Sequence, residues 1–569
     1  MAEYLSPGVY VEEFESGGKP MEGVGTSTAG FVGLAQRGPV GGVPVLVTNF
    51  SDFKRKFGGY LSAAEFGKNR FLAYGVEHFF INGGARAFIS RVAPPDAKKA
   101  TGFVPEEEPI LKISSANPGA WGNDLKIIIT PASKAKTQIL KQLGEKKYEV
   151  KKSAGFESGD VIVLESGEDK IYNKIVKSQD NVLELEESFG EDCVDTKLVP
   201  TITISTCEFQ LEAKYDDIDE FYGEVSFNET AANYIMNVLS KSVLITAEVL
   251  SIPNEAPFVA LAGENALVSV ELKDGSNGSN SSVTADTFMG TDNGPGKRTG
   301  IQAFLDNDSV SIMAVPGITD PNVQLTLVAH CENLASRFAV LDMPEELSNT
   351  DEIITHRNII DSSYAAMYHP WLSVFDPLDK KNICIPPSGS VMGIYARSDN
   401  SKGVHKAPAN EVVRSCTGLS VPFNKGEQDI LNPKGVNLIR SFPGQGIRVW
   451  GARTASSDPS WKYVNVRRLF IYLEESIKAN TNWVVFEPND EKLWSRVKRT
   501  IDGFLRTMWR DGALAGTSES DAFFCNIGPS TMSQDDIDNG RLICVIGVAP
   551  VKPAEFVIFR ITQKTGSAD

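Results

Sequence analysis

The sequence predicts a multidomain α/β protein, an α/β core interrupted by an inserted, mostly β region and followed by a last part that mixes strands and helices. Three observations carry that expectation. The chain has 569 residues, beyond the length at which one hydrophobic core keeps growing. The run Val310-Ser311-Ile312-Met313-Ala314-Val315 reads as a buried strand, with a helical stretch from Asn322 to Arg337 and a second apolar strand, Phe338 to Leu341, behind it. That alternation is the mark of parallel strands covered by helices. Between residues 111 and 270 the pattern changes to short alternating runs such as Asp160-Val161-Ile162-Val163-Leu164 and Asn181-Val182-Leu183-Glu184-Leu185, as half-buried strands require.

In chain order, the elements support six segments. Residues 1–20 hold a short β-prone run, Val9-Tyr10-Val11-Glu12, opened by Pro7-Gly8 and followed by the loose Ser16-Gly17-Gly18-Lys19-Pro20, a detached strand on a flexible tether. Residues 21–100 begin an α/β domain, with a helix from Arg70 to Phe80 and a strand from Ala85 to Val92. The proline- and acid-rich stretch from Pro94 to Pro109 marks a boundary, and 101–285 is the inserted mostly β region. It ends in Gly275-Ser276-Asn277-Gly278-Ser279-Asn280-Ser281-Ser282, by composition a flexible surface loop or linker. Residues 286–430 continue the α/β domain. Residues 431–548 form the last core, with a strand around Ile447 to Trp450, helices at Val466 to Asn480 and Asp490 to Trp509, and a strand run from Arg541 to Val548. The closing strand run Ala554 to Ile561 falls in 549–569, a second terminal arm that includes Phe556, Val557, Ile558 and Phe559.

The formal net charge of -17 makes the bulk surface repel phosphate backbones and anionic lipid, so nucleic acid is not an expected partner. No apolar run is long enough to span a bilayer, and the N-terminus shows neither a basic nor an apolar signal region. Direct membrane insertion is therefore not expected, and synthesis in the cytoplasm is. Seven widely scattered cysteines, none in Cys-x-x-Cys spacing, read as reduced structural thiols and support neither zinc nor a disulfide framework.

No motif carries catalysis. Gly516-Thr517-Ser518 has the look of a protease nucleophile, but Glu519, Ser520 and Asp521 follow it, and none of the five histidines lies in a His-Gly-Thr-His setting that would supply a base. Gly294-Pro295-Gly296-Lys297-Arg298-Thr299 lacks the first glycine of a phosphate loop, since residue 291 is Thr, and Arg298 separates the lysine from the hydroxyl. Gly23-Val24-Gly25 continues to Thr28 where a dinucleotide fingerprint needs its third glycine. No catalytic, cofactor or metal residue is nominated.

Several separated segments resemble the contractile tail sheath family, which is shared by myophage tails, type R bacteriocins and contractile injection systems. They are Pro7-Gly8-Val9-Tyr10-Val11-Glu12-Glu13, Ala120-Trp121-Gly122-Asn123-Asp124, Val315-Pro316-Gly317, and above all Pro386-Pro387-Ser388-Gly389-Ser390-Val391-Met392-Gly393-Ile394-Tyr395-Ala396-Arg397 leading to Gly403-Val404-His405-Lys406-Ala407-Pro408-Ala409-Asn410. Asn432-Pro433, Gly451-Ala452-Arg453-Thr454 and Tyr463-Val464-Asn465-Val466-Arg467-Arg468-Leu469 extend the likeness. The resemblance implies a subtilisin-like central domain without a catalytic triad, an α+β C-terminal domain, and terminal strands exchanged between subunits. It implies a structural subunit, not an enzyme, that stacks helically with copies of itself around an inner tube protein, meets baseplate and cap proteins at the ends, and contracts. Insertions such as 101–285 decorate the outside in this family. The alternative from another class is a hydrolase built on the same core.

Two charge patterns add expectations. Glu3, Glu12, Glu13 and Glu15 would face Lys552, Arg560 and Lys564 in an exchanged sheet. On the helix from Asp490 to Trp509, Leu493, Trp494, Val497, Ile501, Phe504, Leu505 and Met508 fall on one side. Lys492, Arg496, Arg499, Arg506 and Arg510 form a basic stripe on the other, which the resemblance turns toward the inner tube. The competing reading is a solvated face on which Asp502 neutralises Arg499 and Arg506 at helical spacing.

Overall fold

The structure is a computed structural model that describes residues 21–166, 169–189, 202–253, 256–263, 265–556 and 558. The chain divides into two compact units, one of residues 1–30, 77–87 and 308–569 and the other of 31–76 and 88–307.

In the first unit, strands Ile312–Ala314, Phe338–Asp342, Ala365–His369 and Val436–Phe442 are parallel neighbours in that order. Gly446–Val449 and Glu411–Val412 extend the sheet antiparallel. The parallel strands are buried on both faces, hence their unbroken apolar runs; Phe338–Asp342 has no exposed residue. Helix Pro321–Leu334 connects the first two of them, started by Asp320, whose side chain accepts from the Asn322 N–H, and by Pro321 in the first turn. Helix Ser388–Lys402 is buried along most of its length. The boundary expected between residues 430 and 431 does not interrupt this sheet, because Val436–Phe442 hydrogen-bonds in register with Ala365–His369.

The end of the same unit has a core of its own. Helix Val464–Thr481 and helix Glu491–Arg510 pack with Phe523–Ile527 and Cys544–Val548 around Leu469, Leu473, Leu493, Val497, Ile501, Phe504 and Leu505. The expected strand from Arg541 to Val548 is Cys544–Val548, and it pairs with Phe523–Ile527 of its own chain.

The second unit contains the inserted region, and it is mostly β. Strands Ile218–Val225, Glu208–Tyr215, Lys126–Ala132 and Val268–Glu271 form one antiparallel sheet, and Ile245–Val249, Leu111–Ser115 and Thr101–Val104 form another. Their shared core holds Trp121, Ile127, Phe209 and Leu211. Six strands between Lys136 and Thr206 close into a small barrel filled by Ile139, Tyr148, Ile162, Leu164, Ile175, Leu183 and Ile204. Closure removes the open strand edges that so many short strands would otherwise expose.

Of the two readings of Gly275–Ser282, surface loop or linker, the structure shows the loop, and it corrects only the flexibility, since hydrogen bonds pin the segment. The N–H of Ala120 donates to Asn277 Oδ1 at 2.9 Å, Asn277 Nδ2 donates to Glu65 Oε1 at 2.6 Å, and Asp96 accepts from the Ser279 N–H and the Ser282 hydroxyl. Small polar residues serve here as hydrogen-bonding staples, a use that composition does not separate from linker chemistry.

Candidate functional site: the basic helix and the chain ends

Helix Glu491–Arg510 begins at Asp490, whose carboxylate accepts from the Leu493 N–H at 2.8 Å. Its apolar face is the expected one: Leu493, Trp494, Val497, Ile501, Phe504 and Leu505 are buried, and Met508 packs against the same cluster half-buried.

The five basic positions differ in their surroundings. Lys492, Arg496, Arg499 and Arg510 are exposed. The Arg496 guanidinium lies 4.5 Å from the centre of the Trp483 ring and 3.8 Å from Glu487. Arg506 is held by Glu519 through two hydrogen bonds of 2.9 and 2.8 Å, and the guanidinium keeps the Glu519 carboxyl below its ordinary range. Asp502 pairs with Lys498, one turn back, at 3.4 Å. The expected partnership of Asp502 holds in part: its ion pair is with Lys498, which also donates to the carbonyl of Cys525, while, behind the Glu519 hydrogen bond, its charge still acts on Arg506 at a distance and helps to raise that guanidinium's pKa. The connection before this helix leaves Trp483, Val485 and Phe486 exposed, with Trp483 under the Arg496 guanidinium.

Of the expected arm residues, Val9, Tyr10, Val11, Glu12, Val557 and Phe559 lie outside the described residues, as do Glu3, Glu13, Glu15, Arg560 and Lys564. Phe556 and Ile558 are described, and are 73% and 78% exposed. Residues 554–556 pair with no described strand of their own chain, and the rest of the expected Ala554–Ile561 run, Ile558 apart, lies outside the described residues. Glu555 anchors this segment. Its carboxylate accepts from Arg453 at 2.8 and 2.6 Å, from Asn432 at 2.7 Å and from the Tyr463 hydroxyl at 3.2 Å, with Lys462 3.7 Å away. Two oxygens with this many donors fix the chain there and turn Phe556 outward. Sequence reading missed Glu555. The signal available was a single acid in the otherwise uncharged Pro553-Ala554-Glu555-Phe556.

The protease-like Gly516-Thr517-Ser518 is a helix start: the Ser518 hydroxyl donates to Asp521 at 2.7 Å and caps Glu519–Ala522. Buried histidines are likewise tied into the fold, with His369 Nε2 2.7 Å from the carbonyl of Leu347 and His78 Nδ1 3.3 Å from Ser390 Oγ. Burial lowers the pKa of each to about 4. Among the described residues, no group of three or more His, Cys, Asp and Glu is placed to hold a metal ion, and no helix is long and apolar enough to cross a membrane.

The described residues thus present a charged helix and a segment anchored through Glu555. Comparison with known proteins gives the family. The phage tail sheath protein central domain matches residues 294–455, and the phage tail sheath C-terminal domain follows it without a gap over 456–564. A prophage major tail sheath protein of Pseudomonas aeruginosa is 26% identical over 289 residues, 49% of this chain and 72% of that protein. The tail sheath protein of Burkholderia phage BcepMu is 27% identical over 308 residues, 50% of this chain and 61% of its own length. The sheath of an extracellular contractile injection system, a PVC sheath complex in its contracted state, shares the fold over 99% of both chains with a TM-score of 0.53 at 21% identity. The chain belongs to the phage tail sheath family, the structural sheath subunits of contractile phage tails and contractile injection systems.

Proposed function

We propose that the protein polymerises helically with copies of itself around an inner tube protein and contracts to drive that tube through a target envelope. Baseplate and cap proteins bound the polymer at its ends. The work is mechanical: contraction is favoured by the extra surface that neighbouring subunits bury against one another, summed over many copies. The central domain is of the subtilisin-like kind without a triad, the second unit's β-rich region decorates the outer surface, and the basic helix faces the tube. Terminal strands exchanged with neighbouring copies hold the polymer together while it moves, since an added strand supplies main-chain hydrogen bonds to a sheet edge.

The observation that carries this reading is the pair of consecutive sheath-family matches over 294–564, which takes in the whole end core and the clamped chain end. Removal of residues 2–18 tests it. The shortened chain is expected to fold and stay soluble but to form no tubes by electron microscopy, and normal tubes from it would overturn the exchange of the N-terminal strand.

A further inference from the structure

Four residues of helix Val464–Thr481 hold the described start of the chain. Arg468 donates to the Thr26 carbonyl at 2.9 Å, and the Val24 N–H donates to the Ser476 hydroxyl at 3.1 Å. The side-chain amide of Asn480 holds both polar groups of one residue, accepting from the Glu22 N–H at 3.3 Å and donating to the Glu22 carbonyl at 2.8 Å. Tyr472 fills the remaining step. A Cβ built on Gly23 would stand 1.8 Å from its hydroxyl, so a larger residue there would have to displace the Tyr472 ring. Residues 468, 472, 476 and 480 recur every four positions, the spacing that lines one helix face. The segment runs antiparallel to the helix, with Thr26 against its first half and Glu22 against its last turn.

The other end of the chain is held by the beginning of the same helix. Asn465 Nδ2 donates to the Val551 carbonyl at 3.2 Å, and Tyr463, the residue just before the helix, donates to Glu555. Asn465 and Asn480 are fifteen positions apart, about 22 Å along a stiff hydrogen-bonded rod. The hydrophobic side of that rod, with Leu469 and Leu473, is fixed in the end core.

We infer that this helix is the common seat of both terminal arms, and that Tyr472, Ser476, Asn480 and the Glu555 clamp are positioning residues that set where and in what direction each arm leaves the subunit. The inference rests on the exchange of terminal strands proposed above. A second copy of this chain is the partner at each arm. Because one rod seats both roots, a pull on one arm is carried to the other, which links successive neighbours in a polymer. Hydrogen bonds to a mainly polar ladder suit this task, since they fix register without adding to the apolar core.

Full-length Ser476→Ala/Asn480→Ala and Glu555→Gln proteins test the seat, compared with the parent chain for the thermal midpoint of unassembled protein and the critical concentration for tube formation by sedimentation. Ser476→Ala/Asn480→Ala is expected to keep its midpoint within about 3 °C, Glu555→Gln to lower it because the buried Arg453 loses its counter-charge, and each to raise the critical concentration at least about tenfold, more than any fall of the midpoint accounts for. Restoration of assembly by Glu555→Asp, but not by Glu555→Gln, would mark the charged clamp as the determinant. Tube formation at the parent concentration by both variants overturns the inference, and so does a fall of assembly that merely tracks a fall of the midpoint. The chain lacking residues 2–18 separates the two levels. If it forms normal tubes the exchange reading fails, whereas if it forms none while both variants assemble normally, only the seat fails.

Discussion

Arg468 clasps Asp399 through two hydrogen bonds of 2.9 and 2.6 Å with both side chains out of solvent, so that the helix seating the N-terminal segment is tied to helix Ser388–Lys402 of the central sheet. The Thr26 hydroxyl adds a third bond to the carboxylate, at 2.6 Å, and the Tyr395 ring lies 4.7 Å from the guanidinium. Removing one member of a buried pair leaves the other charge uncompensated. Asp399→Ala is expected to cost about 3–5 kcal/mol, whereas replacement of both residues by apolar ones of similar volume costs far less. Urea midpoints measure this, and a loss under about 1 kcal/mol for the single variant would contradict it.

Asp342 gives a pH dependence. Its carboxylate is fully buried at the end of strand Phe338–Asp342, accepting from the Gly317 N–H at 3.0 Å and from the Ser388 N–H and hydroxyl at 2.8 and 2.7 Å. Burial outweighs these three bonds and raises its pKa from 3.8 to about 6. Between those values the native state holds the proton and the unfolded chain does not. This group's contribution to stability therefore falls as pH rises from 3.8 to about 6, and is level above. Asp342→Asn is expected to remove that slope. The measurement is the difference in thermal midpoint between the two proteins at pH 4.5 and pH 7, and a constant difference would refute the shift.

Gly393 explains part of the Val391-Met392-Gly393-Ile394 motif. A Cβ there would stand 2.4 Å from the Phe79 carbonyl oxygen and 2.8 Å from the Asn82 Cβ, so the helix meets the 77–87 segment backbone to backbone. Helix propensity alone favours alanine by about 1 kcal/mol. The close approach should reverse the sign, and Gly393→Ala is expected to destabilise by about 2 kcal/mol in chemical denaturation. A stabilised variant would show that the two segments separate at little cost.

The basic helix predicts a charge-dependent partner. Arg496 and Arg499 are exposed, and reversing both to Glu is expected to abolish co-sedimentation of the protein with the tube protein proposed above, while tube-free sheath still assembles. Exposed charges are screened over about 10 Å at 0.1 M salt, so attraction of this kind lets a surface register and then release. Unchanged co-sedimentation would make the stripe a solvated face. High salt should loosen tube-free assemblies only slightly, because exposed cross-strand ion pairs contribute at most about 1 kcal/mol each.

Much of this protein is decided by sequence alone. Apolar periodicity places helix Glu491–Arg510 to within a residue and names its buried face, because burial of one helix face imposes a spacing that survives any tertiary context. Continuous apolar runs mark the parallel strands, and short alternation marks the β-rich second unit, for the corresponding reason in strands. Dispersed motifs point to the family, and Gly393 shows why such a motif resists change. What requires tertiary structure are the bonds between residues far apart in sequence. Asn480 and Glu22 are separated by 458 positions, and Arg453 and Glu555 by 102. Neither pair shares a helix face or a strand, so no local period reveals them. Gly275–Ser282 and Asp502 follow the same rule: a polar residue can bond to whatever the fold brings near, and only packing decides which partner that is.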